Sequence, residues 1–432
     1  MTITLTATET PSRASTVQKI VSKGGIEAWL VEDYAVPLIA LEFAFKGGAA
    51  QDPIGKSGAA TLLASLLDEG AGPYDSEGFH RALDEDAIEI SFSAGRDNLS
   101  GRLQSLARNT ARAFELLRLA VTAARLDAEP FERVVSQIAA GLKREANDPD
   151  FVAGRNFRAA AYPNHPYGLP VRGDLSTLPA LTRSHLIDLR AVTFARDNLK
   201  IAAVGAINAE TLASHLDDIF GQLPEKASLI PVAPAAFAGA GTRHVAPIDV
   251  PQSTIRFGRE GIARKDPDFI AATVVNHILG GGIFSARLFR EVREKRGLAY
   301  SVYTYLYPLD HVGIFAGGVA TENKSVGESL ELIKTELERA AKEGLTEQEL
   351  RTAKDYLVGS FALRFDTSSK IAAQLLAIQL DDLGIDYIDR RNGEIEAITV
   401  DDIKRVAKRL MEPKNLIVTV VGEPEGIKEA GL

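Results

Sequence analysis

The sequence predicts an α+β (α/β) chain built from two homologous domains, each a mixed or antiparallel β-sheet with helices packed on one face. Three observations predict this fold. Apolar runs with a period of two residues alternate with amphipathic helical runs along the chain. One pattern from the first half recurs in the second half. Finally, the 432 residues are 45% hydrophobic and 25% charged, which is typical of a globular protein with two or three domains.

The recurring pattern is an internal repeat. Residues 180–205 and 397–422 align without a gap, and six of the aligned positions are identical. In both segments a threonine that can cap a helix opens an amphipathic run, and an Asn-Leu pair leads into an apolar strand that ends in Val-Gly. The two segments are therefore predicted to share one helix-and-strand arrangement.

A second pair of similar segments lies upstream. In the first half, an apolar run at 38–45 precedes an Asp-Pro pair and a helix that begins near residue 57. In the second half, a run at 254–258 precedes another Asp-Pro pair and a helix that begins near residue 268. Because the offset is nearly the same in both pairs, we interpret each half as a complete unit and the whole chain as a gene duplication.

These repeats divide the chain into four parts. Residues 1–16 are predicted to be a flexible N-terminal segment, 17–220 the first domain and 242–432 the second domain. Between the domains, residues 221–241 contain three prolines, several alanines and glycines, and no amphipathic period. Such a composition is typical of a linker.

Charge and cysteine content exclude several functions. The 49 basic and 58 acidic side chains give a net charge of -9, which argues against nucleic acid or an anionic membrane as the main partner. The chain has no cysteine, so disulfides, thiolate catalysis and cysteine-containing zinc sites are excluded. The N-terminus lacks the apolar core of a secretory signal, and no stretch approaches the roughly twenty apolar residues of a membrane span. We expect the chain as written to be cytoplasmic, or periplasmic if a signal was removed.

The most distinctive stretch is 279–302, LGGGIFSARLFREVREKRGLAYSV. Three consecutive glycines, Gly280, Gly281 and Gly282, follow one helical run and precede another. Glycines in such a position permit a positive-φ turn and the close approach of a second backbone. This glycine run is a candidate substrate-binding element.

Arg293 and Tyr300 are the two candidate catalytic residues of this stretch. A turn at 296–297 would fold the following strand back towards the preceding helix, so that the two side chains can meet. A guanidinium and a phenol both donate hydrogen bonds to a peptide carbonyl oxygen, and these bonds strengthen when that oxygen becomes an oxyanion. The alternative is structural, because an arginine on a helix and a tyrosine on a strand are more often a solvated face and a core aromatic. Strand alternation places three other tyrosines on the face opposite Tyr300: Tyr303, Tyr305 and Tyr307.

This stretch and the two-half plan resemble the bacterial M16 peptidase family, which is related to pitrilysin and the mitochondrial processing peptidase. The resemblance covers nearly the whole chain and implies a duplicated M16 peptidase-like fold. Its specific part is the Arg-x6-Tyr spacing. In that family the pair helps to hold the substrate peptide and to polarise its scissile carbonyl, which implies these roles for Arg293 and Tyr300. The glycine run resembles the Gly-rich loop of the family's non-zinc subunits, which is implicated in substrate recognition.

The resemblance also places the family's zinc site, an inverted His-x-x-Glu-His motif, within 58–70. Here Thr61 and Ser65 stand at the two histidine positions, and Ala64 stands at the position of the general base. Gln137 most plausibly occupies the position of the third ligand. Alanine has no proton-accepting group and neutral hydroxyls are poor zinc ligands, so we expect a degenerate zinc site and no metal or other cofactor in this chain.

The histidines offer no replacement site. The chain has seven, and no two are close enough in sequence to form a helical or hairpin pair. In the segment 164–168, His165 and Tyr167 are interpreted as organising a turn rather than binding metal.

Taken together, the resemblance and the missing zinc residues predict that the chain is the zinc-less subunit of a heterodimeric M16-type zinc metallopeptidase. A partner subunit with the intact motif would supply the zinc, and the substrate would be an extended peptide. We expect no peptidase activity from this chain alone and metalloendopeptidase activity in the complex. A homodimer is possible in the absence of the partner. The alternative is a non-enzymatic M16-fold scaffold or peptide-binding protein, which the loss of the zinc residues fits equally well.

Overall fold

The computed structural model describes residues 17–427 and 430–431. The segment 1–16, predicted to be flexible, lies outside the described residues. Within the described residues, twelve strands form two sheets of six strands each. The strands of the first sheet are β1 (Gln18–Val21), β2 (Glu27–Glu32), β3 (Leu38–Lys46), β4 (Glu89–Ala94), β5 (Asn98–Leu106) and β6 (Leu199–Gly205). Those of the second sheet are β7 (Thr242–Ala246), β8 (Gln252–Glu260), β9 (Ala299–Leu309), β10 (Val312–Glu322), β11 (Ile417–Val421) and β12 (Ala430–Gly431).

The two sheets have the same arrangement. Their strand orders are β1-β2-β6-β3-β5-β4 and β12-β7-β11-β8-β10-β9. In each sheet one neighbouring pair is parallel, β2 with β6 and β7 with β11. All other pairs are antiparallel. The predicted mixed sheets are therefore confirmed. The sheets differ at one edge, because β1 precedes its neighbour along the chain whereas β12 is the last strand.

Thirteen α-helices accompany the sheets in the described part of the chain. The helices of the first half are α1 (Ala59–Ala64), α2 (Ser76–Glu85), α3 (Thr110–Ala123), α4 (Ala128–Glu145), α5 (Pro149–Ala161), α6 (Arg183–Thr193) and α7 (Ala209–Phe220). Those of the second half are α8 (Phe269–Asn276), α9 (Val326–Glu343), α10 (Glu347–Gly359), α11 (Ser368–Leu380), α12 (Tyr387–Ala397) and α13 (Val400–Leu410). Among the described residues, no helix combines the length and the apolar character needed to cross a bilayer.

The sequence repeat corresponds to a repeated structure. The first copy forms α6 and β6, and the second copy forms α13 and β11. Thr399 caps α13, because its hydroxyl accepts from the Asp402 backbone N–H at 3.2 Å while its own N–H donates to the Asp402 carboxylate at 2.9 Å. At the matching position of α6, the Thr182 N–H donates to His185 Nδ1 at 3.1 Å. The shared helix-and-strand arrangement is confirmed.

Each sheet buries one face against helices of its own half. In the first half, Phe43 and Phe45 of β3 pack against Phe220 of α7, and all three are fully buried. In the second half, Phe257 of β8 shares a core with Leu337 of α9 and other helical residues. These two cores confirm the predicted layer of helices on one face of each sheet.

The opposite face of each sheet is covered by a helix from the other half. Helix α11 packs on β3 and β6, where Ile371 and Leu375 join Trp29 in a buried cluster. Helix α5 packs on β8 and β11, where Phe157 joins Ile417. Strands β6 and β11 are consequently buried on both faces, which explains their nearly continuous apolar sequences. This exchange of helices, which the sequence did not predict, joins the halves through hydrophobic contacts.

The segment 221–241 has no regular helix or strand and lies against both halves. The Ile230 N–H donates to the side-chain oxygen of Gln51 at 2.7 Å, and the Gln51 amide donates to the Ile230 carbonyl at 3.0 Å. Further along, the Ala235 N–H donates to the carbonyl of His311, in the second half, at 3.1 Å. The segment is therefore hydrogen-bonded to both halves along its length.

Candidate functional site

Arg293 lies in a π-helical segment, Phe289–Glu294, that precedes β9. A second π-helical segment, His277–Gly281, lies just upstream. After Arg293 the chain turns at Gly297, whose φ is +63°. The Gly297 N–H donates to the Arg293 carbonyl at 3.0 Å, and the next N–H donates to the Val292 carbonyl at 3.0 Å. The predicted turn at 296–297 is confirmed, and it brings β9 back alongside the π-helical segment.

Tyr300 lies near the start of β9, an edge strand of the second sheet. The pairing with β10 shifts register here, so that Tyr300 and Ser301 oppose a single residue of β10. Such a bulge re-aims side chains. The strict alternation expected from the sequence fails at this point, because Tyr300 and Ser301 are both exposed while Ala299 and Val302 on either side are buried. As a result, 87% of the Tyr300 side chain is exposed.

The two candidate catalytic side chains lie on the same exposed part of the second half but do not bond to each other. The Arg293 guanidinium lies over the ring of Phe289, 5.0 Å from its centroid. Among the described residues, neither Arg293 nor Tyr300 forms a hydrogen bond or an ion pair with another side chain. The hydrogen-bond donors of both side chains are therefore available to a bound group.

The glycine run allows close packing rather than a left-handed turn. None of Gly280, Gly281 and Gly282 has a positive φ, and that expectation is wrong because the π-helical segment continues through them with φ −87° at Gly282. The expected close approach of a second backbone is confirmed. A Cβ added at Gly280 would lie 2.7 Å from the Thr304 backbone nitrogen, so only glycine lets this segment contact β9 so closely. Gly281 is exposed.

Three of the degenerate zinc positions lie on or beside α1, where their side chains serve the fold. The Thr61 hydroxyl donates to the Val171 carbonyl at 2.8 Å, and the Ser65 hydroxyl donates to the Thr61 carbonyl at 2.9 Å. Ala64 is only 2% exposed and belongs to the hydrophobic core of the first half. The two hydroxyls are bonded to backbone, and none of these side chains provides the imidazole or carboxylate that zinc requires.

The fourth degenerate position, Gln137, is exposed on α4. One turn earlier on α4, Arg133 binds both carboxylate oxygens of Glu69 at 3.2 and 2.6 Å. Helix α4 is therefore joined to the segment that follows α1. The residues at the four positions still do not fit zinc. In the described part of the chain, no group of three or more His, Asp or Glu side chains is placed to hold a metal ion.

The segment 164–168 organises a turn, as predicted. His165 Nδ1 accepts from the Tyr167 backbone N–H at 3.1 Å, and the Tyr167 hydroxyl donates to Asp97 at 2.5 Å. The other oxygen of Asp97 accepts from the backbone N–H of Asp310, in the second half, at 3.2 Å. This turn therefore links the two halves.

A cavity of about 520 Å³ lies between the two halves, and we call it the interdomain pocket. From the first half, its lining includes Arg96 in the loop after β4, Arg158 on α5, and the loop 170–173. From the second half, its lining includes Tyr305 and Tyr307 of β9. The sequence did not single out Arg96 or Arg158, and its only signal for this pocket was the two-residue spacing of the tyrosines.

The pocket borders the degenerate zinc positions. Val171, whose carbonyl accepts the Thr61 hydroxyl, lies in the pocket lining. The neighbouring Arg172 carbonyl lies 2.9 Å from where a Cβ at Gly58 would be, just before α1. The loop 170–173 thus separates α1 from the pocket.

Two arginines of the pocket lack a carboxylate partner. Arg96 is 8% exposed and donates one hydrogen bond, to the Leu169 carbonyl at 3.1 Å. Burial, together with the nearby charge of Arg158, lowers the pKa of Arg96 to about 10. Arg158 forms no hydrogen bond or ion pair within the described residues, and burial lowers its pKa. Both side chains remain cationic at neutral pH.

The other two arginines of the pocket are paired. Arg256 binds Asp150 at 2.7 Å and the hydroxyl of Tyr303, while Arg172 binds Glu145 at 2.5 Å. Arg96 and Arg158 are therefore the cations of this pocket that are available to a negatively charged ligand.

Comparisons with known proteins agree with this architecture. A family model described as "Peptidase M16 inactive domain" matches residues 180–357. The crystal structure of a peptidase M16 inactive domain from Pseudomonas fluorescens has a TM-score of 0.89 to this chain at 26% sequence identity, and the match covers 96% of this chain and 99% of that chain. The chain therefore resembles the M16 peptidase family over nearly its whole length, and the resemblance inferred from its sequence is confirmed.

The relatives of this chain carry two kinds of name. An uncharacterized zinc protease of Mycobacterium bovis is 26% identical over 378 residues, which cover 87% of this chain and 85% of that protein. The non-peptidase homolog YmxG of Helicobacter pylori is 25% identical over 398 residues, which cover 90% of each chain. The inactive-type match fits an M16 chain without zinc donors at Thr61, Ala64 and Ser65.

Proposed function

We propose that this chain is the zinc-less subunit of a heterodimeric M16 metallopeptidase. In this proposal Arg293 and Tyr300 hold an extended peptide and stabilise the charge that develops on its scissile carbonyl oxygen. A partner subunit with an intact His-x-x-Glu-His motif supplies the zinc, which activates the attacking water. The observation that carries the proposal is that both side chains are exposed and neither forms a hydrogen bond or an ion pair with another side chain among the described residues.

A purely structural role explains these two side chains poorly. A core aromatic is buried, but Tyr300 is 87% exposed. A guanidinium and a phenol are donors whose hydrogen bonds gain most when the acceptor becomes negative, as a carbonyl oxygen does during hydrolysis. Both residues also lie at local distortions, a π-helical segment and a β-bulge, which recur at functional sites.

In this proposal the substrate is an extended peptide segment. A peptide that adds as a strand to an exposed sheet edge of the partner is recognised chiefly through its backbone. The glycine run lies beside β9 and would contribute to substrate binding, with Gly281 exposed to it. The residues at the degenerate zinc positions support a partner that carries the metal, because Thr61, Ala64 and Ser65 do not fit zinc.

The test is reconstitution. A quenched fluorogenic peptide is incubated with this chain alone in the presence of zinc, and then with this chain mixed with a zinc-bearing M16 subunit encoded beside it. We expect no cleavage by this chain alone and cleavage on mixing, above the activity of the partner alone. Cleavage by this chain alone would contradict the proposal, since it would require a metal site in this chain.

A non-enzymatic scaffold is the second candidate, and the H. pylori relative with a non-peptidase name favours it. A scaffold of this kind would bind the zinc-bearing subunit without raising its activity. Size-exclusion chromatography of the mixture, run beside the cleavage assay, distinguishes the two candidates. A stable complex with no gain in cleavage would support the scaffold, and the same column shows whether this chain forms a homodimer by itself.

A further inference from the structure

The interdomain pocket holds charge that the fold does not neutralise. Arg158 is partly buried without a carboxylate or any hydrogen-bond acceptor among the described residues. The nearby charge of Arg96 adds repulsion to this cost. A desolvated cation without a partner is unfavourable, and such exceptions to local consistency concentrate at functional sites. The chain as a whole carries a net charge of -9, so this local positive charge is not a general property of its surface.

The pocket reaches the outer strand of each sheet. Its first-half side includes the end of β4, and its second-half side is the face formed by β8, β10 and β9. Strands β4 and β9 are the outermost strands of their sheets, each with one paired neighbour. Edge strands present unpaired backbone N–H and C=O groups, which can pair with an added extended chain. The pocket therefore combines cations with a surface suited to a peptide backbone.

We propose that the interdomain pocket binds a carboxylate of an extended peptide, with Arg158 as the main anchor, Arg96 beside it, and the peptide lying along the free edge of β9. A guanidinium binds a carboxylate through paired hydrogen bonds. Apolar and aromatic walls, including Phe157 and Ile314, receive the neighbouring part of the peptide. The proposal rests on the proposed function for treating this peptide as the substrate, but the binding itself belongs to this chain alone.

Strand β9 also determines how far the bound carboxylate lies from the cleaved bond. Tyr300 and Tyr305 are five residues apart on β9, which is at most about 17 Å because the bulge at Tyr300 shortens the strand. A peptide that lies along this edge with its scissile carbonyl at Tyr300 would reach the pocket about five residues away. We therefore expect a preference for an acidic residue, or for the C-terminal carboxylate, at about that distance from the cleaved bond.

A carboxylate fits this pocket better than a phosphate does. The wall already contains the carboxylate of Asp150, paired with Arg256, which would repel a second negative charge on the ligand. A peptide carboxylate carries one negative charge next to apolar atoms, which suits two available arginines that lie among aromatic side chains. The position of the pocket beside the edge strand β9 also favours a ligand with a backbone over a free anion.

The test measures binding to the full chain without any partner. Fluorescein-labelled peptides of about ten residues, long enough to reach from Tyr300 to the pocket, are compared by anisotropy. One peptide has a single Asp and an amidated C-terminus, the second has Asn in its place, and the third has no Asp but a free C-terminal carboxylate. The Asp and free-carboxylate peptides identify which source of carboxylate is bound. We expect at least one of them to bind about tenfold more tightly than the Asn peptide.

The variant Arg158→Ala should abolish that difference. Arg155→Ala is the matched control, because Arg155 lies one turn earlier on α5, is exposed and has no ion pair in the described residues. It should keep the full preference. Equal binding of all three peptides to the wild type would overturn the proposal, and so would a preference that persists in Arg158→Ala. Binding of inorganic phosphate alone, without any carboxylate dependence among the peptides, would assign the pocket to a small anion and also overturn it.

Hydrolysis by the complex separates this proposal from the proposed function. For a peptide with Asp at the inferred spacing, Arg158→Ala should raise KM and leave kcat unchanged. Carboxylate-dependent binding without any hydrolysis would refute the catalytic proposal and leave the pocket intact. Hydrolysis with no preference for the acidic peptide would refute the pocket proposal and leave the catalytic proposal intact.

Discussion

The two halves of the molecule differ at the residues that the M16 resemblance singles out. In the first half, the hydroxyls of Thr61 and Ser65 are bonded to backbone carbonyls, and Ala64 is packed in a core. In the second half, Arg293 and Tyr300 form no hydrogen bond or ion pair with the described side chains, and Tyr300 is 87% exposed. One site has become part of the fold, while the other keeps its polar groups available.

This difference separates structural from functional polar groups. A buried polar group normally finds a partner inside the protein because leaving it unpaired costs stability. An exposed donor does not carry this cost, but it also contributes little to stability. The first half should therefore respond to substitution through stability, and the second half through activity.

The largest expected effect is on turnover by the reconstituted pair. Tyr300→Phe and Arg293→Ala should each lower kcat by about 100-fold, because each removes a donor to the developing oxyanion. Thermal unfolding of this chain should not change, since neither side chain forms an internal hydrogen bond. Tyr34→Phe and Arg351→Ala are the controls, because Tyr34 is 61% exposed in the first half and Arg351 is exposed on α10. Undiminished turnover in the first two variants would end the catalytic role and remove the contrast between the halves.

The next effect is on stability in the first half. Ala64→Glu, which restores the residue type of the general base, should lower the free energy of unfolding by about 3 kcal/mol, because it places a charged group at a core position that is 2% exposed. Ser65→Ala should change it by less than about 0.5 kcal/mol, since that hydroxyl bonds only within its own helical turn. Urea unfolding measures both values. An unchanged stability for Ala64→Glu would show that the position still opens towards space suited to a catalytic base.

The sequence predicted the features that depend on local pattern. The repeat at 180–205 and 397–422 gave the matching helix and strand of each half, and Arg296-Gly297 gave the turn before β9, because capping, turn and periodicity signals are read from neighbouring residues. The exchange of α5 and α11 was not predicted. Amphipathicity shows which face of a helix is apolar but not which sheet it covers. The continuous apolar sequences of β6 and β11 were the available signal that both their faces are buried.

The candidate site also has features that the sequence predicted and features that depend on the tertiary fold. The Arg-x6-Tyr spacing could be read from sequence, but the bulge that exposes Tyr300 depends on the pairing register with β10. The interdomain pocket could not be predicted from the sequence, because Arg96, Arg158 and Tyr305 come from separate elements that only the tertiary fold brings together. A lone arginine on an otherwise ordinary helix carries no sequence signal of its own.

The smallest expected effect concerns Arg158, a partly buried cation that, like Arg293, forms no hydrogen bond or ion pair with the described residues. Arg158→Met keeps the length and apolar stem of the side chain but removes a charge that is desolvated and repelled by Arg96 and Arg256. We expect the free energy of unfolding to rise by about 1 kcal/mol, with an unchanged m value in urea. Arg155→Met, the exposed control on the same helix, should leave it unchanged. A loss of stability in Arg158→Met would mean that the arginine supports the fold, whereas a gain together with weaker peptide binding means that the charge is kept for a ligand at the expense of stability.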